Sequence, residues 1–328
     1  MSEKQTLDTM KISFVIPCYR SAQSIGEVVG EIVDLMSSRP VLAYEIVLVS
    51  DASPDDVYRV ILDLCASDDH VFGVELARNF GQHAALMCGY GYATGDIVIS
   101  LDDDGQAPVE SAFDLVDAIV AGSDVVFGSY RRKRKSVVRR VGSHVNELMS
   151  RWLLDKPRDL EITSFFAARR YVINEVVRYD NSYPYLLGLL LRAAGKITNV
   201  PVTHRPRKVG ESNYTFRKLL GLWVNGFTAF SVKPLRMATF FGMLFAGFGF
   251  VLGITVVCNK LLNPDVAAGY SSMMATMLFV GGVQLIMLGL IGEYVGRMYI
   301  SQNKAPQYVV RSTSKNLQFE NTSGDAKC

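Results

Sequence analysis

Apolar residues along this chain come in short blocks. Residues 12–17 (ISFVIP), 45–50 (EIVLVS) and 71–76 are apolar runs bounded by turn residues, and each reads as a buried strand. Between them the spacing changes to that of a helix. Val28, Val29, Ile32, Val33, Leu35 and Met36 put one apolar face on a helix over 25–36, with Ser24 placed to cap it. Residues 51–56 form a turn that opens a helix to about Ala66. A further helix is expected over 81–93, ended by Thr94-Gly95-Asp96, then a strand over 98–101, a helix over 109–120 and a strand over 124–128. One more strand is expected over 197–202. Strands alternating with helices predict an α/β fold: a mostly parallel sheet covered by helices on both faces. In such sheets ligands bind beyond the carboxyl ends of the strands, where Pro17, Asp51, Arg78 and Asp102 fall.

From Tyr130 the pattern changes. Arg131-Arg132-Lys133-Arg134-Lys135, followed by Arg139-Arg140, is a dense basic run, readable either as a solvated loop or as a site for a lipid phosphate or an anionic membrane surface. An amphipathic segment follows over 145–154, and 205–208 is again basic. Near the end, residues 237–258 and 273–292 carry no charge and are long enough to cross a bilayer core, so two membrane spans are expected. Lys and Arg gather before the first span and after the second. The positive-inside rule then keeps both ends in the cytoplasm and turns the loop 259–272 outward. Residues 213–232 are too polar to span and read as helices lying in the interface. The expected organisation is a tail over 1–10, a cytoplasmic α/β domain over 11–212, interface helices over 213–234, two spans within 235–298, and a cytoplasmic segment over 299–328 that becomes a polar tail after about Arg311.

Composition supports this. Hydrophobic residues make up 49% of the 328 and mean hydropathy is positive. Net charge is +2, so no strong field points to a nucleic-acid partner. Five cysteines without a CxxC pair suggest neither a disulfide framework nor a zinc site, which suits a reducing compartment. The polar opening MSEKQTLDTMK has no apolar core, so no cleaved export signal is expected.

Candidate chemistry centres on VISLDDDGQAP, residues 98–108. Side chains alternate along a strand, so Asp102 and Asp104 should share one side and Asp103 the other. Two adjacent carboxylates repel and call for a cation between them. A hard divalent ion fits, with positions left open for substrate phosphates. A solvated acidic turn is the plain alternative. His83 and His144 read as structural.

The motifs VIPCYR (15–20), SDASPDD (50–56), ARNFGQHAA (77–85), SLDDDGQAP (100–108) and RKVGESNYTF (207–216) occur in that order, with GEYVGRMY (292–299) after the second span. Together they resemble family 2 glycosyltransferases, specifically the polyprenyl-phosphate group that includes dolichol-phosphate mannose synthase and undecaprenyl-phosphate sugar transferases. The resemblance implies a Rossmann-like, A-type glycosyltransferase domain and a set of roles. Pro17 and Tyr19 would shape the nucleotide pocket. Asp51 would hold the base or ribose, although Ser50 stands at the family's first acidic position and Ala52 at its glycine. Asp102 and Asp104 would bind Mg²⁺ or Mn²⁺ at the donor diphosphate, and Gln106 would lie near the sugar or acceptor. Arg207, Ser212 and Tyr214 match a segment that folds over the phosphates. Arg20, Arg78, Asn79, Asp103 and Arg131 join the substrate-binding candidates. Glu161, with Asp159 second, stands where the family places a general base, though TSFFAARR (163–170) departs from the family's run. A phosphate acceptor is already ionised, so positioning and charge compensation can carry the reaction.

The resemblance therefore implies an inverting enzyme of the inner membrane, multi-pass, with its catalytic domain in the cytoplasm. It would move a sugar from a nucleotide-diphosphate sugar to polyprenyl phosphate, undecaprenyl phosphate in a bacterium. The product would serve cell-envelope glycan modification, and relatives imply a homo-oligomer, a tetramer. The alternative is a non-catalytic membrane scaffold that binds nucleotide sugars, for which Ser50 and Ala52 are the support. A processive polysaccharide synthase would need more spans and a QxxRW-type motif, and a flippase more spans.

Overall fold

The computed structural model describes residues 10–130, 160–181, 184–203, 233–262, 269–302 and 306–315. The chain divides into two compact units: Met1–Asn213 with Ala305–Cys328, and Tyr214–Lys304.

The first unit is an α/β body. β1 (Lys11–Cys18) is buried at every residue after Lys11, because a parallel strand covered on both faces meets no solvent. α1 (Ile25–Ser37) buries Ile25, Val28, Val29, Ile32 and Met36, one face at helical spacing. Then come β2 (Ala43–Ser50), α2 (Val57–Ser67), β3 (Val71–Leu76), α3 (Gln82–Tyr92), β4 (Ile97–Ser100), α4 (Ala112–Val120) and β5 (Val125–Tyr130). All match the expected elements within a few residues. After the undescribed 131–159 the body resumes with β6 (Phe166–Arg169), α5 (Arg170–Val177), α6 (Leu186–Ala193) and β7 (Ile197–Val202). Of these, the apolar pattern had marked only β7.

The strands form one eight-stranded sheet, ordered β7-β5-β6-β4-β1-β2-β3-β8. β1 pairs in parallel with β2 on one side and β4 on the other. β6 runs antiparallel between β4 and β5, and the last strand, β8 (Val310–Thr313), runs antiparallel along β3. The sheet is mostly parallel, as expected, with these two reversals. β8 corrects the expected polar tail. It comes after the second unit and closes the edge of the first, helped by the Ala77 amide donating to the Val309 carbonyl at 2.8 Å and the Ser314 amide donating to the Gly73 carbonyl at 2.8 Å. An Arg311–Glu75 ion pair at 3.7 Å lies alongside.

The second unit holds two long helices, α7 (Lys233–Leu262) and α8 (Tyr270–Gln302). They touch where the Phe245 and Phe279 rings lie 5.9 Å apart. Large apolar side chains point outward, among them Phe250 at 72% and Leu285 at 71% exposure. Helices apolar around much of their surface belong in a lipid setting or a deep core. In α8 the window Phe279–Gly296, mean hydropathy 1.5, is long and apolar enough to cross a membrane. The corresponding run in α7, Gly242–Thr255, is shorter, so by length and composition one of the two expected spans is met among the described residues. The basic run 131–140, the segment 145–154 and the interface segment 213–232 lie outside the described residues.

Candidate active site

Strand order reverses between β1 and β4, and a crevice forms there beyond their carboxyl ends. β4 stops at Ser100, and Gly105, at φ +69, sits in the turn that follows. The three acidic residues between lie past the end of the strand, with Asp103 and Asp104 already in the turn, so strand alternation does not carry through them. Asp103 accepts the Tyr19 amide at 2.9 Å, and its own carbonyl accepts the Ser24 hydroxyl at 2.7 Å, so it ties the acidic turn to the end of β1. Burial, together with the Asp102 and Asp104 charges and against the pull of the Tyr19 amide, pushes its carboxyl up to about 6. Asp102 and Asp104 share a different neighbour. Burial raises the Tyr130 hydroxyl to about 12, and both of these carboxylates add to that rise.

Asp102 is held from two elements. The Gln82 side-chain amide donates to Oδ1 at 2.8 Å, and the Ser164 hydroxyl donates to Oδ2 at 2.5 Å. Asp104 accepts the Gln106 amide at 3.1 Å. Asp102 also lines a cavity of about 200 Å³ with Pro17, Gln82, His83, Thr163 and Ser164, walled by Leu86, Leu101, Ile162, Phe166, Leu186 and Leu187. His83 packs edge-on to Tyr185 at 5.7 Å, its Nδ1 is buried without a hydrogen bond, and burial lowers its pKa, so it is neutral at pH 7.

The other expected residues take varied places. Asp51 is 3% exposed, and its two oxygens accept the amides of Phe80 and Gly81 at 2.7 and 2.8 Å. Burial raises its carboxyl and these amides oppose the rise. The carboxylate expected to hold a base or ribose thus fastens the entry to α3. Asn79 donates to the Asp51 carbonyl at 3.4 Å, and the Arg78 guanidinium lies 4.8 Å from the Phe80 ring centre. Tyr19 is 41% exposed, with the Arg20 guanidinium 5.5 Å from its ring centre. Glu161 accepts the Ser129 hydroxyl at 2.6 Å, and its backbone is bracketed by Asn199, while its successors 162–164 line the cavity. Arg131, His144, Asp159, Arg207, Ser212 and Tyr214 lie outside the described residues.

Sequence reasoning passed over Gln82, Ser164 and Tyr130. Gln82 sits inside the quoted ARNFGQHAA motif, and Ser164 directly follows the segment searched for a base. Neither spacing nor periodicity showed that they meet Asp102.

Two carboxylates two residues apart, just past the end of a buried strand, suit a hard cation whose remaining ligands are substrate oxygens. Among the described residues no three His, Cys, Asp or Glu side chains gather as a protein-only metal cage.

Comparison with known proteins adds the following. Residues 13–177 match the family model described as glycosyl transferase family 2, and residues 233–298 match one described as the GtrB C-terminal hairpin. The prophage bactoprenol glucosyl transferase homolog of Escherichia coli (strain K12) is 31% identical over 93% of this chain and 100% of its own length. The undecaprenyl-phosphate 4-deoxy-4-formamido-L-arabinose transferase of Klebsiella pneumoniae (strain 342) is 34% identical over 92% and 93%. Among solved structures, glucosyl-3-phosphoglycerate synthase from Mycobacterium tuberculosis in complex with Mn²⁺, uridine diphosphate and phosphoglyceric acid superposes with a TM-score of 0.52 at 19% identity, over 69% of this chain and 79% of that one. This last likeness concerns the fold.

Proposed function

The chain belongs to glycosyl transferase family 2, and on that premise we propose that it transfers a sugar from a nucleotide-diphosphate donor to a polyprenyl phosphate, with undecaprenyl phosphate as the acceptor. The single observation carrying this is the near full-length match to two enzymes whose names share a long-chain prenol and differ in the sugar. The acceptor class therefore comes to this chain, and the sugar is left to the assay.

The site chemistry agrees. Asp102 and Asp104 would hold a divalent cation, Mg²⁺ or Mn²⁺, which supplies charge compensation for a departing nucleoside diphosphate. An acceptor phosphate is mostly ionised near neutral pH, with a second pKa of about 6 for a comparable monoester. Its oxygen attacks the anomeric carbon, the bond to the diphosphate breaks, and no proton has to be removed first. Inversion follows from a single displacement. Glu161, engaged with Ser129, is proposed to hold the loop that shapes the cavity. The apolar walls from Leu86, Leu186 and Leu187 exclude water from the side of Asp102.

The proposed setting is the cytoplasmic membrane, crossed twice, with the α/β body on the cytoplasmic side. Connectivity supports an even number of crossings. The sheet takes β7 from before the two helices and β8 from after them. A single crossing would leave β8 and β3 on opposite sides of the bilayer, and this supports a reading in which α7 crosses together with α8.

The test uses purified full-length protein, undecaprenyl phosphate, Mg²⁺ or Mn²⁺ and a panel of labelled nucleotide sugars. A labelled, butanol-extractable lipid with at least one donor is the expected result. Binding of nucleotide sugars without such a lipid, across the panel, would overturn the reading.

A further inference from the structure

We propose that Gln82 and Ser164 are positioning residues that hold the Asp102 carboxylate in a fixed orientation before cation or diphosphate arrives. The inference rests on the metal-assisted reading above and concerns what prepares the site for it. The carboxylates of Asp102 and Asp104, two residues apart, carry like charge and repel each other. An unrestrained Asp102 would rotate away, and binding would have to bring it back. Each Asp102 oxygen instead receives one hydrogen bond, at 2.8 Å from the first residue of α3 and at 2.5 Å from the loop before β6.

Both arms are anchored in turn. Gln82 follows Phe80 and Gly81, whose amides are fastened by Asp51 at the end of β2. Ser164 follows Thr163, whose hydroxyl lies 2.9 Å from the carbonyls of Gly128 and Phe165. Gly128 leaves no slack there, since a Cβ would lie 2.9 Å from the Phe165 ring. Asp51 thus acts on Asp102 through the start of α3, and Thr163 acts on it through Ser164. Such supports orient a ligand ahead of binding, and losing one typically costs about 10–100-fold in metal affinity or activity.

The experiment measures Mn²⁺ binding to full-length protein by the electron paramagnetic resonance of free Mn²⁺, with UDP, GDP, dTDP and CDP in turn. Gln82→Leu and Ser164→Ala are each expected to raise the Mn²⁺ Kd by about 10-fold. The Mn²⁺ needed for half-maximal turnover should rise in step, with kcat at saturating Mn²⁺ unchanged, and Ser164→Thr should restore wild-type affinity. Variants that bind Mn²⁺ like the wild type while kcat or melting temperature falls would overturn the proposal, leaving these residues a structural role. A wild type that binds no Mn²⁺ with any of the nucleotides would overturn the metal reading itself, and this inference with it.

Discussion

At the amino ends of β1, β2 and β4, the Glu45 carboxylate accepts the Lys11 ammonium at 2.5 Å, the Ser13 hydroxyl at 2.6 Å and the amides of Thr94 and Gly95 at 2.5 and 3.2 Å. Gly95 fits because any Cβ would lie 2.7 Å from the Lys11 carbonyl. At the carboxyl ends of the same strands, Asp102 accepts hydrogen bonds from the neutral side chains of Gln82 and Ser164, and Asp104 accepts the Gln106 backbone amide. Strain sorts the same way. Among the described residues the non-glycine residues at positive φ are Arg20 (φ 59) and Ala52 (φ 46), just past the ends of β1 and β2. One end of the sheet spends its carboxylate on architecture, with donors crowded onto it. The other keeps negative charge and strained turns, which cost stability and persist where a ligand is to be met.

The sharpest way to break this contrast is Asp104→Asn. Transfer activity should fall by at least about 100-fold, as for loss of a group that stabilises transition-state charge. Thermal unfolding should be unchanged or slightly raised, because a like-charge repulsion is relieved. A large drop in melting temperature with activity retained would reverse the assignment of the two ends.

Glu45→Gln should do the opposite, leaving kcat intact and lowering stability by about 2 kcal/mol at neutral pH, in the range for hydrogen bonds to a charged group. Its pH dependence gives a second check. Burial pushes the Glu45 carboxyl up, but Lys11, Ser13 and Thr94 together hold it below its usual 4.5. Below that value the unfolded chain binds the proton more readily than the folded one, so this stabilisation is complete above pH 4.5 and is lost as pH falls through the lowered value. Wild type and variant should converge in stability there. A gap that stays constant through acid pH would show that the charge on Glu45 contributes nothing.

The smallest effect is expected at Ala52. The family motif has glycine here, and the structure shows why: the residue takes a left-handed conformation. Ala52→Gly should relieve about 1 kcal/mol of strain and give back part of it to unfolded-chain entropy, for a net gain of about 0.5 kcal/mol without change in activity. A clear loss of stability would place the strain elsewhere. The turn keeps its form with Ala, so the departure from the motif does not by itself argue for a decayed, non-catalytic site.

Local pattern was enough for the first half of the fold. Strands buried on both faces and helices with one apolar face announce themselves, and β1 to β5 followed from that. β6 and β8 were illegible for one reason: both are four-residue strands whose partners lie far away in sequence, β4 and β5 for one and β3 for the other. Phe166–Arg169 has no alternation to read, and Val310–Thr313 has three polar residues of four and lies on an edge. The same holds at the site. Alternation expects Asp103 to face away from Asp102 and Asp104, but the strand that would impose it ends at Ser100. The bonds to Asp102 from Gln82 and Ser164 span 20 and 62 residues, and no periodicity reports them. Asp51 shows the limit from the other side: its motif was recognisable, but not that backbone amides occupy its carboxylate.

The edge strand β8 also orders events during synthesis. The ribosome makes β3 early and β8 only after both long helices have emerged, so the β3 edge waits with open amides and carbonyls while the helices are made. A bare edge of that kind is a template for pairing with other chains. A polypeptide released early, after α8 but before residue 310, would carry every acidic residue of the crevice and still present that sticky border, so the sheet is closed only once the chain has been made past both long helices.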